Sequence, residues 1–470
     1  MINGIYSAIS ALKVFEKKLG TAANNIANVN TQGFKASRAS SQEVSTQDVS
    51  ASSGTAQVGR GTTLGTVCED FSQGSFESTS STTDMAIGGD GFFIAEAPEG
   101  RTYYTRDGQF NFDKDGTFVT TAGHAIQGWQ IDPNTGGAQG AIQDITLGSF
   151  TSPPEETTVV KNIINLNANS EDKSVGVNAL ANAWDGDNPA GEYMANNAYE
   201  YQTSTKVYDS VGAAHDITSY FDKTGTDSVW EFIVTANPAE DLRPGATGDN
   251  LGLLARGTLT FNNSGAVSDM TMDINDGAGN WTSQNVATDL KNGHFTFNPD
   301  FLGATDGSTE MSIRLDFGSF YNGSSWVNDA SSSTQYSASS NTVYSSADGY
   351  GSGDLEAVAV STDGVITGSY SNGQVMGLYQ VAIAKFNNPQ GLKKTGNNLY
   401  TQTNESGDAI TGQPGTNGLG SIAPNALEQS NVDIGKEFVN IILIKRGFQA
   451  NLKIISAEDE MIGDLLNIIS

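Results

Sequence analysis

Residues 432–470 read VDIGKEFVNIILIKRGFQANLKIISAEDEMIGDLLNIIS. Within them Ile434, Phe438, Ile441, Phe448, Leu452, Ile455, Ile462, Leu466 and Ile469 recur in steps of four and three, with Lys445 and Asp459 at the two interrupted positions. This is the period of a coiled-coil seam, about five heptads long. A second apolar stripe, through Val439, Ile442, Ala450, Ile454, Ala457, Met461, Leu465 and Ile468, lies on a neighbouring face, so one partner helix cannot cover both. At the other end of the chain Ile5, Ile9, Leu12, Leu19, Ala23 and Ile26 repeat the spacing, with Glu16 interrupting it. The two ends are expected to pair with each other. A helix of this length spans roughly 57 Å at 1.5 Å per residue and must protrude or bundle. An isolated helix is marginal in water, so its order should come from packing with other copies. A simple intramolecular two-helix stalk is the alternative, and it would leave an exposed apolar side.

The composition around these ends points to β structure. Of 470 residues 37% are hydrophobic, with 54 Gly and 11 Pro, a balance that favours short strands and turns over large helical cores. The net charge of −29 lies almost wholly between the ends, because residues 1–40 carry five basic and one acidic side chain and residues 430–470 carry four and six. An acidic body with near-neutral apolar ends argues against nucleic acid, whose phosphates need a basic patch. Cys68 stands alone, so no intrachain disulfide forms. No apolar run reaches the length of a membrane-spanning helix, and no membrane insertion is expected. Lys13, Lys17 and Lys18 follow the first apolar residues instead of preceding them, unlike a cleavable signal peptide. If the protein leaves the cell, another route is expected.

After the first helix comes ANNIANVNTQGF, residues 23–34. One Asn would serve a generic helix cap; Asn24, Asn25, Asn28 and Asn30 together, ahead of Gly33 and Phe34, predict a tight corner held by side-chain amides. This stretch with Lys35 resembles the N-terminal signature of the bacterial flagellar rod and hook family. ALEQSNVD at 426–433 and RGFQAN at 446–451 resemble its C-terminal signature. TGSYSNGQ at 367–374, VAIAKFNNPQGL at 381–392 and TKVYDSVGAAHDI at 205–217 are similar to hook proteins in particular. The sequence departs from that pattern at Lys445, where Gln is commoner, and at Gly447 and Phe448, where Ala-Tyr is commoner. Gly447 should cost its helix about 1 kcal/mol relative to Ala.

Residues 36–80 are rich in Ser, Thr, Gln and Gly and cannot bury a core of their own. They are expected to be an extended arm that orders against neighbouring subunits, or a flexible linker. Short turn-bounded strands begin with 87–94, 103–106, 110–112 and 117–120, and resume with 355–360 and 365–368 joined at Asp363-Gly364. The two sets predict one inner β domain, 81–155 with 345–425, around an insertion. The insertion, 156–344, predicts a second β domain: Trp230, Phe232 and Val234 share one face, and Met311, Ile313, Leu315 and Phe317 alternate with Ser312, Arg314 and Asp316. Its stretches 170–200 and 236–250 are surface loops or a small extra lobe. The expected fold is mainly β with a terminal α-helical coiled coil, the helical part being 1–35 with 430–470.

Catalytic and metal chemistry find little support. His124, His215 and His294 have no His or Cys partner at ligand spacing. Asp113, Asp115 and Gly116 form part of a calcium-loop pattern that lacks its other ligands, and a hairpin turn between Phe112 and Phe118 accounts for them. Gly59, Gly61 and Gly65 have the wrong spacing and context for a dinucleotide loop. Neither an enzyme activity nor a cofactor is expected, although a carboxylate pair of a glycosidase could hide among 53 acidic residues.

The resemblance implies a structural subunit of the flagellar hook: an extracellular homopolymer of many copies, a curved tube acting as a universal joint that carries torque to the filament. It also implies export through the flagellar export apparatus without signal cleavage, a hook cap protein, the distal rod protein below and hook-filament junction proteins above. The apolar positions from Ile5 to Ile26 and from Ile434 to Ile469 would then build an inner tube, with Lys445 and Asp459 setting register. A distal rod protein is the nearest alternative. A secreted β-rich adhesin or glycan-active protein with a helical stalk is the alternative of another class.

Overall fold

The computed structural model describes residues 2–51, 54–132, 135–148, 150–303 and 311–469. The chain forms two units, one of residues 1–150, 355–370 and 374–470, the other of 151–354 with 371–373.

In the first unit the long helices are α1 (Ile2–Ala27) and, at the far end of the sequence, α3 (Ile434–Ile469). They run antiparallel, and three contacts fix the register. Asn25 Nδ2 donates to Glu437 Oε1 at 3.1 Å. The Phe15 ring stands against Gly447, where a Cβ would lie 2.5 Å from its Cζ, and Glu458 stands against Gly4. The α1 positions that meet α3 in these contacts are Gly4, Phe15 and Asn25. Gly4, Phe15 and Asn25 each stand one residue before a position of the four-three repeat that runs from Ile5 to Ile26. Gly4 and Gly447 each leave room for the larger side chain opposite, Glu458 and Phe15.

Residues 36–80 include a long hairpin. Ser37–Glu43 pairs antiparallel with Thr62–Glu69, and Gln47–Ala51 with Gly54–Val58. The ladder leans on α1 of the same chain: Thr62 N donates to Ser10 Oγ and Lys18 Nζ to Ser41 Oγ, both at 3.1 Å. The order that apolar burial could not supply comes from backbone pairing and these polar contacts.

The β body of the first unit is stitched from both halves of the chain. Phe93 pairs with Thr105 and also with Ile383, Gly128 with Val381, Leu399 with Thr105, and Met85 with Pro424. A tight turn falls where expected, Val360 pairing with Ile366 across Asp363-Gly364, and a second joins Ser369 to Val375 across Asn372-Gly373. Phe93, Phe110, Phe118, Ile126, Ile366 and Ile383 form the buried core, with Phe93 and Phe110 edge to face at 5.0 Å. Each such side chain contributes about 1.5 to 3 kcal/mol.

The second unit is built on a six-stranded antiparallel meander, from Tyr201–Tyr208 through Val229–Thr235 to Trp281–Ser283. Its other sheet centres on Val159–Asn167, which runs parallel to Ile313–Asp316 and Thr334–Tyr336 and antiparallel to Asn341–Ala347. Trp230, Phe232 and Val234 from one sheet and Ile313, Leu315 and Phe317 from the region of the other share one buried cluster. On the meander's opposite face the short helix α2 (Ala179–Asn182) and its flanks form a lobe, where Leu180, Trp184 and Met194 pack with Ile233 and Leu253.

Candidate assembly surface and the node behind it

The pairing of α1 with α3 leaves much of the apolar surface of both helices open. Ile434, Phe438, Phe448 and Leu452 are exposed, as are Val439, Ile442, Ile454, Met461 and Leu465 of the second stripe, and Leu443 outside both stripes. Phe438 and Leu443 keep 54% and 60% of their surface in contact with solvent, values foreign to a finished core. On α1, Ile9 and Leu19 are exposed, while Ile5, Leu12 and Ile26 are half-buried, as are Ile441, Ile455 and Ile462 on α3. Lys445 and Asp459 are exposed and stand outside the three contacts that fix the α1–α3 register. The side chains of Leu466 and Ile469 lie outside the described residues.

The Asn-rich corner closes the root of α1. Asn25 is buried, and its amide is fully used: Oδ1 accepts from Ser37 N at 2.9 Å, and Nδ2 donates to Ser37 O at 2.8 Å as well as to Glu437. Asn28 Nδ2 donates to Asn24 O at 2.9 Å, while Asn30 is exposed. Gly33 sits at φ +67°, and a Cβ there would lie 2.6 Å from Asp107 N. Any L side chain is strained in that conformation, so Gly is required. Phe34 is buried under the Lys394 ammonium, 4.4 Å from the ring centre.

Next to the corner lies a group of charges to which the sequence alone assigns no role. Glu428 is 1% exposed, and its two oxygens meet Lys35 Nζ at 2.7 Å and Arg106 Nη1 at 3.3 Å. Lys35 and Arg106 are equally inaccessible. Burial pushes both cations below their ordinary pKa values, and the Glu428 charge opposes that shift. Removing one partner would leave an uncompensated buried charge. Lys35 and Glu428 both fall in signature stretches, which was a signal of importance; their meeting required the fold, because 393 positions separate them.

The remaining polar features carry structural tasks. His215 is stacked on Phe301 with ring centres 3.9 Å apart, between Asp209 and Glu240, and His124 is stacked on Tyr103. Asp113 Oδ1 accepts from Asp115 N and Thr117 N at 2.9 Å, forming the turn between paired Phe112 and Phe118. Asp185, Asp187 and Asp249 bring carboxylate oxygens within 4.8 Å of one another on a largely exposed loop, and this is the cluster of metal-ligand type found among the described residues. Cys68 is exposed.

Four family models match the chain in order. They are described as flagella basal body rod protein over residues 5–35, flagellar hook protein FlgE/F/G D1 domain over 86–175, flagellar basal body protein FlaE D2 domain over 178–350, and flagellar basal body rod FlgEFG protein C-terminal over 423–468. The chain is 32% identical to the flagellar hook protein FlgE of Borreliella burgdorferi, with all of both chains covered. It is 30% identical to that of Treponema pallidum over all of both chains, and 30% identical to that of Escherichia coli over 98% of both. With full-length relatives at this identity and with its terminal helices and nested β units in place, the chain belongs to the flagellar hook protein family.

Proposed function

We propose that this chain is the building subunit of a flagellar hook, a curved tube that acts as a universal joint between rod and filament. The observation that carries the reading is the apolar surface of α3. Within one chain α1 leaves ten apolar side chains of α3, from Ile434 to Leu465, exposed, and other copies of the same helices, packed as an inner tube, would cover them. The inserted unit behaves differently. Residues 151–354 hold 27 acidic and 8 basic side chains, so neighbouring copies repel weakly within the screening distance of about 8 Å. Polar contacts whose partners water can replace rearrange at little cost. A joint that bends while it rotates needs this pairing of a cohesive tube with replaceable outer contacts.

In this reading the subunit leaves the cell through the flagellar export apparatus without signal cleavage and is added under a hook cap protein. The finished tube abuts the distal rod protein at one end and hook-filament junction proteins at the other. Immunogold electron microscopy of flagella with antibody against residues 156–344 tests the assignment. Gold on the short curved segment next to the cell envelope is the expected result. Gold on the straight shaft would move the chain to the rod, and a flagellum without gold would reopen the adhesin reading.

A further inference from the structure

Two stretches of chain connect the helices to the β body of the first unit: the one that leaves α1 and runs through the arm to Phe76–Ser78, and the one from Ser421–Pro424 into α3. Both converge on Glu428. Its Oε1 accepts from Lys35 Nζ at 2.7 Å and from Gly74 N at 2.8 Å, so it holds the start and the end of the arm together. Its Oε2 accepts from Arg106 Nη1, and Arg106 Nη2 donates to Gly89 O at 2.8 Å, which ties the same carboxylate to the β body. Its backbone oxygen accepts from Gly33 N at 2.8 Å, at the corner below α1.

The surrounding geometry confines these bonds. Leu427 pairs with Glu77 and Glu428 with Phe76, so the two connections form a ribbon and not two separate tethers. Gly74 has no Cβ to strike the Gln429 carbonyl, and Gly33 has none to strike the backbone at Arg106 and Asp107. Asn431 adds a second fastening nearer α3: its Oδ1 accepts from Ala36 N at 2.8 Å and its Nδ2 donates to Asp70 O at 2.7 Å.

We propose that Glu428 is the positioning residue of a torsional lock, holding Lys35, Gly74 and Arg106 at once so that both connections turn as one body with the helices. The proposal rests on the hook reading above and names the place where rotation of the tube enters the β body. A buried ion group is often no more stabilising than apolar residues of the same volume, so stability alone is a weak reason for this one. Direction is the better reason. Apolar contact is non-directional, whereas charge-assisted hydrogen bonds to both oxygens of one carboxylate resist a change of angle.

The test replaces the group as a whole, Lys35→Met, Arg106→Leu and Glu428→Leu together, which removes the directional bonds without stranding a buried charge. In cells making this variant, hooks are expected in normal number, and the thermal angular variance of a bead tethered through the hook should rise at least twofold. Hooks of unchanged variance would overturn the proposal. Should the triple variant make no hooks, the soluble full-length chain carrying Glu428→Asp gives the answer, since the shortened acid cannot reach all three partners. Limited proteolysis should then cut residues 70–76 and 429–433 at least tenfold faster than in the parent, with cutting inside 151–354 unchanged. Equal cutting at the ribbon would overturn the proposal. Because proteolysis is independent of where the protein assembles, its outcome is separate from that of the immunogold experiment.

Discussion

Gly447→Ala sets two physical effects against each other at one position. In an isolated helix the change is favourable by about 1 kcal/mol, because Ala loses less backbone entropy than Gly. In the α1–α3 pair the new Cβ would lie 2.5 Å from Phe15 Cζ, 2.9 Å from Cε1 and 3.1 Å from Cε2. Carbon atoms pack at about 3.5 to 4.0 Å, so the ring must retreat by roughly 1 Å. Cζ lies on the axis of ring rotation, so turning the ring gives no relief. Either Phe15 leaves its rotamer or the helices separate against the Asn25–Glu437 hydrogen bond. Overpacking of this kind costs about 1 to 3 kcal/mol, which exceeds the propensity gain over most of its range and leaves a net loss of about 1 kcal/mol. Amide hydrogen exchange along α1 and α3 in the soluble full-length chain reads this locally, where a global melt of two units would not. Exchange should quicken about fivefold in Gly447→Ala and return to the parent rate or below when Phe15→Leu is added. Slower exchange in the single variant would mean that helix propensity rules at this site and that Phe15 does not dock on Gly447.

Three further outcomes follow from the same geometry. Gly33→Ala adds a left-handed penalty of about 1 to 2 kcal/mol to a collision with the Asp107 backbone, so a urea titration of the full-length chain should lose at least that much from the first unit; an unchanged midpoint would refute the corner as drawn. In the second unit, burial raises the pKa of Asp222, which accepts from Lys173 N at 3.1 Å and Ser174 N at 2.7 Å. A carboxyl raised above its unfolded value contributes stability that is fully present below the unfolded pKa and is lost as pH rises through the folded one. Protection of these two amides, corrected for intrinsic exchange, should therefore be greater in mild acid than at neutral pH, and Asp222→Asn should flatten the difference; protection that grows with pH would refute this. Replacing Lys445 and Asp459 together by Leu should leave polymers at least as stable but mixed in helical register, and electron micrographs showing one unchanged subunit arrangement would end their assignment as register residues.

The pattern of large apolar residues was enough to locate both terminal helices, because a four-three repeat sustained over dozens of residues matches the helical period and no strand or turn can reproduce it. It could not say which face meets which partner. Gly4 and Gly447 carry little hydropathy, and their contribution is the room they leave for Glu458 and Phe15, a property that appears only when the opposing helix is present. The strands of the nested β units were legible from alternation and from turns such as Asp363-Gly364, because each turn fixes its own local register. The hairpin of residues 36–80 was not, since its ladder and its contacts through Ser10 and Lys18 involve polar groups that composition assigns to solvent. Glu428 was hidden for a related reason. A lone acid in a sequence reads as surface, and only the meeting of residues 35, 106 and 428 makes burial tolerable.

The distribution of unburied surface also bears on how one chain can be both strong and compliant. Ten exposed apolar side chains on α3, from Ile434 to Leu465, each retain roughly half their area. Covering them releases about 1 kcal/mol apiece, on the order of 10 kcal/mol per subunit before the cost of association is subtracted. That is comparable to the whole stability of a small domain, and it resides in helices whose contacts cannot be exchanged for water. Among the described residues of the acidic unit the exposed large apolar side chains are Val175, Val177, Val211, Leu242, Tyr336, Val343 and Tyr344, which belong to separate loops and strands and not to one helix. Cohesion in a polymer of such chains would therefore come from the helices, and curvature would be decided among weak outer contacts. Added bulky apolar residues on the 156–344 surface would shift that division and should straighten or stiffen the tube, whereas unchanged curvature and swimming in such variants would show that the outer contacts do not govern the bend.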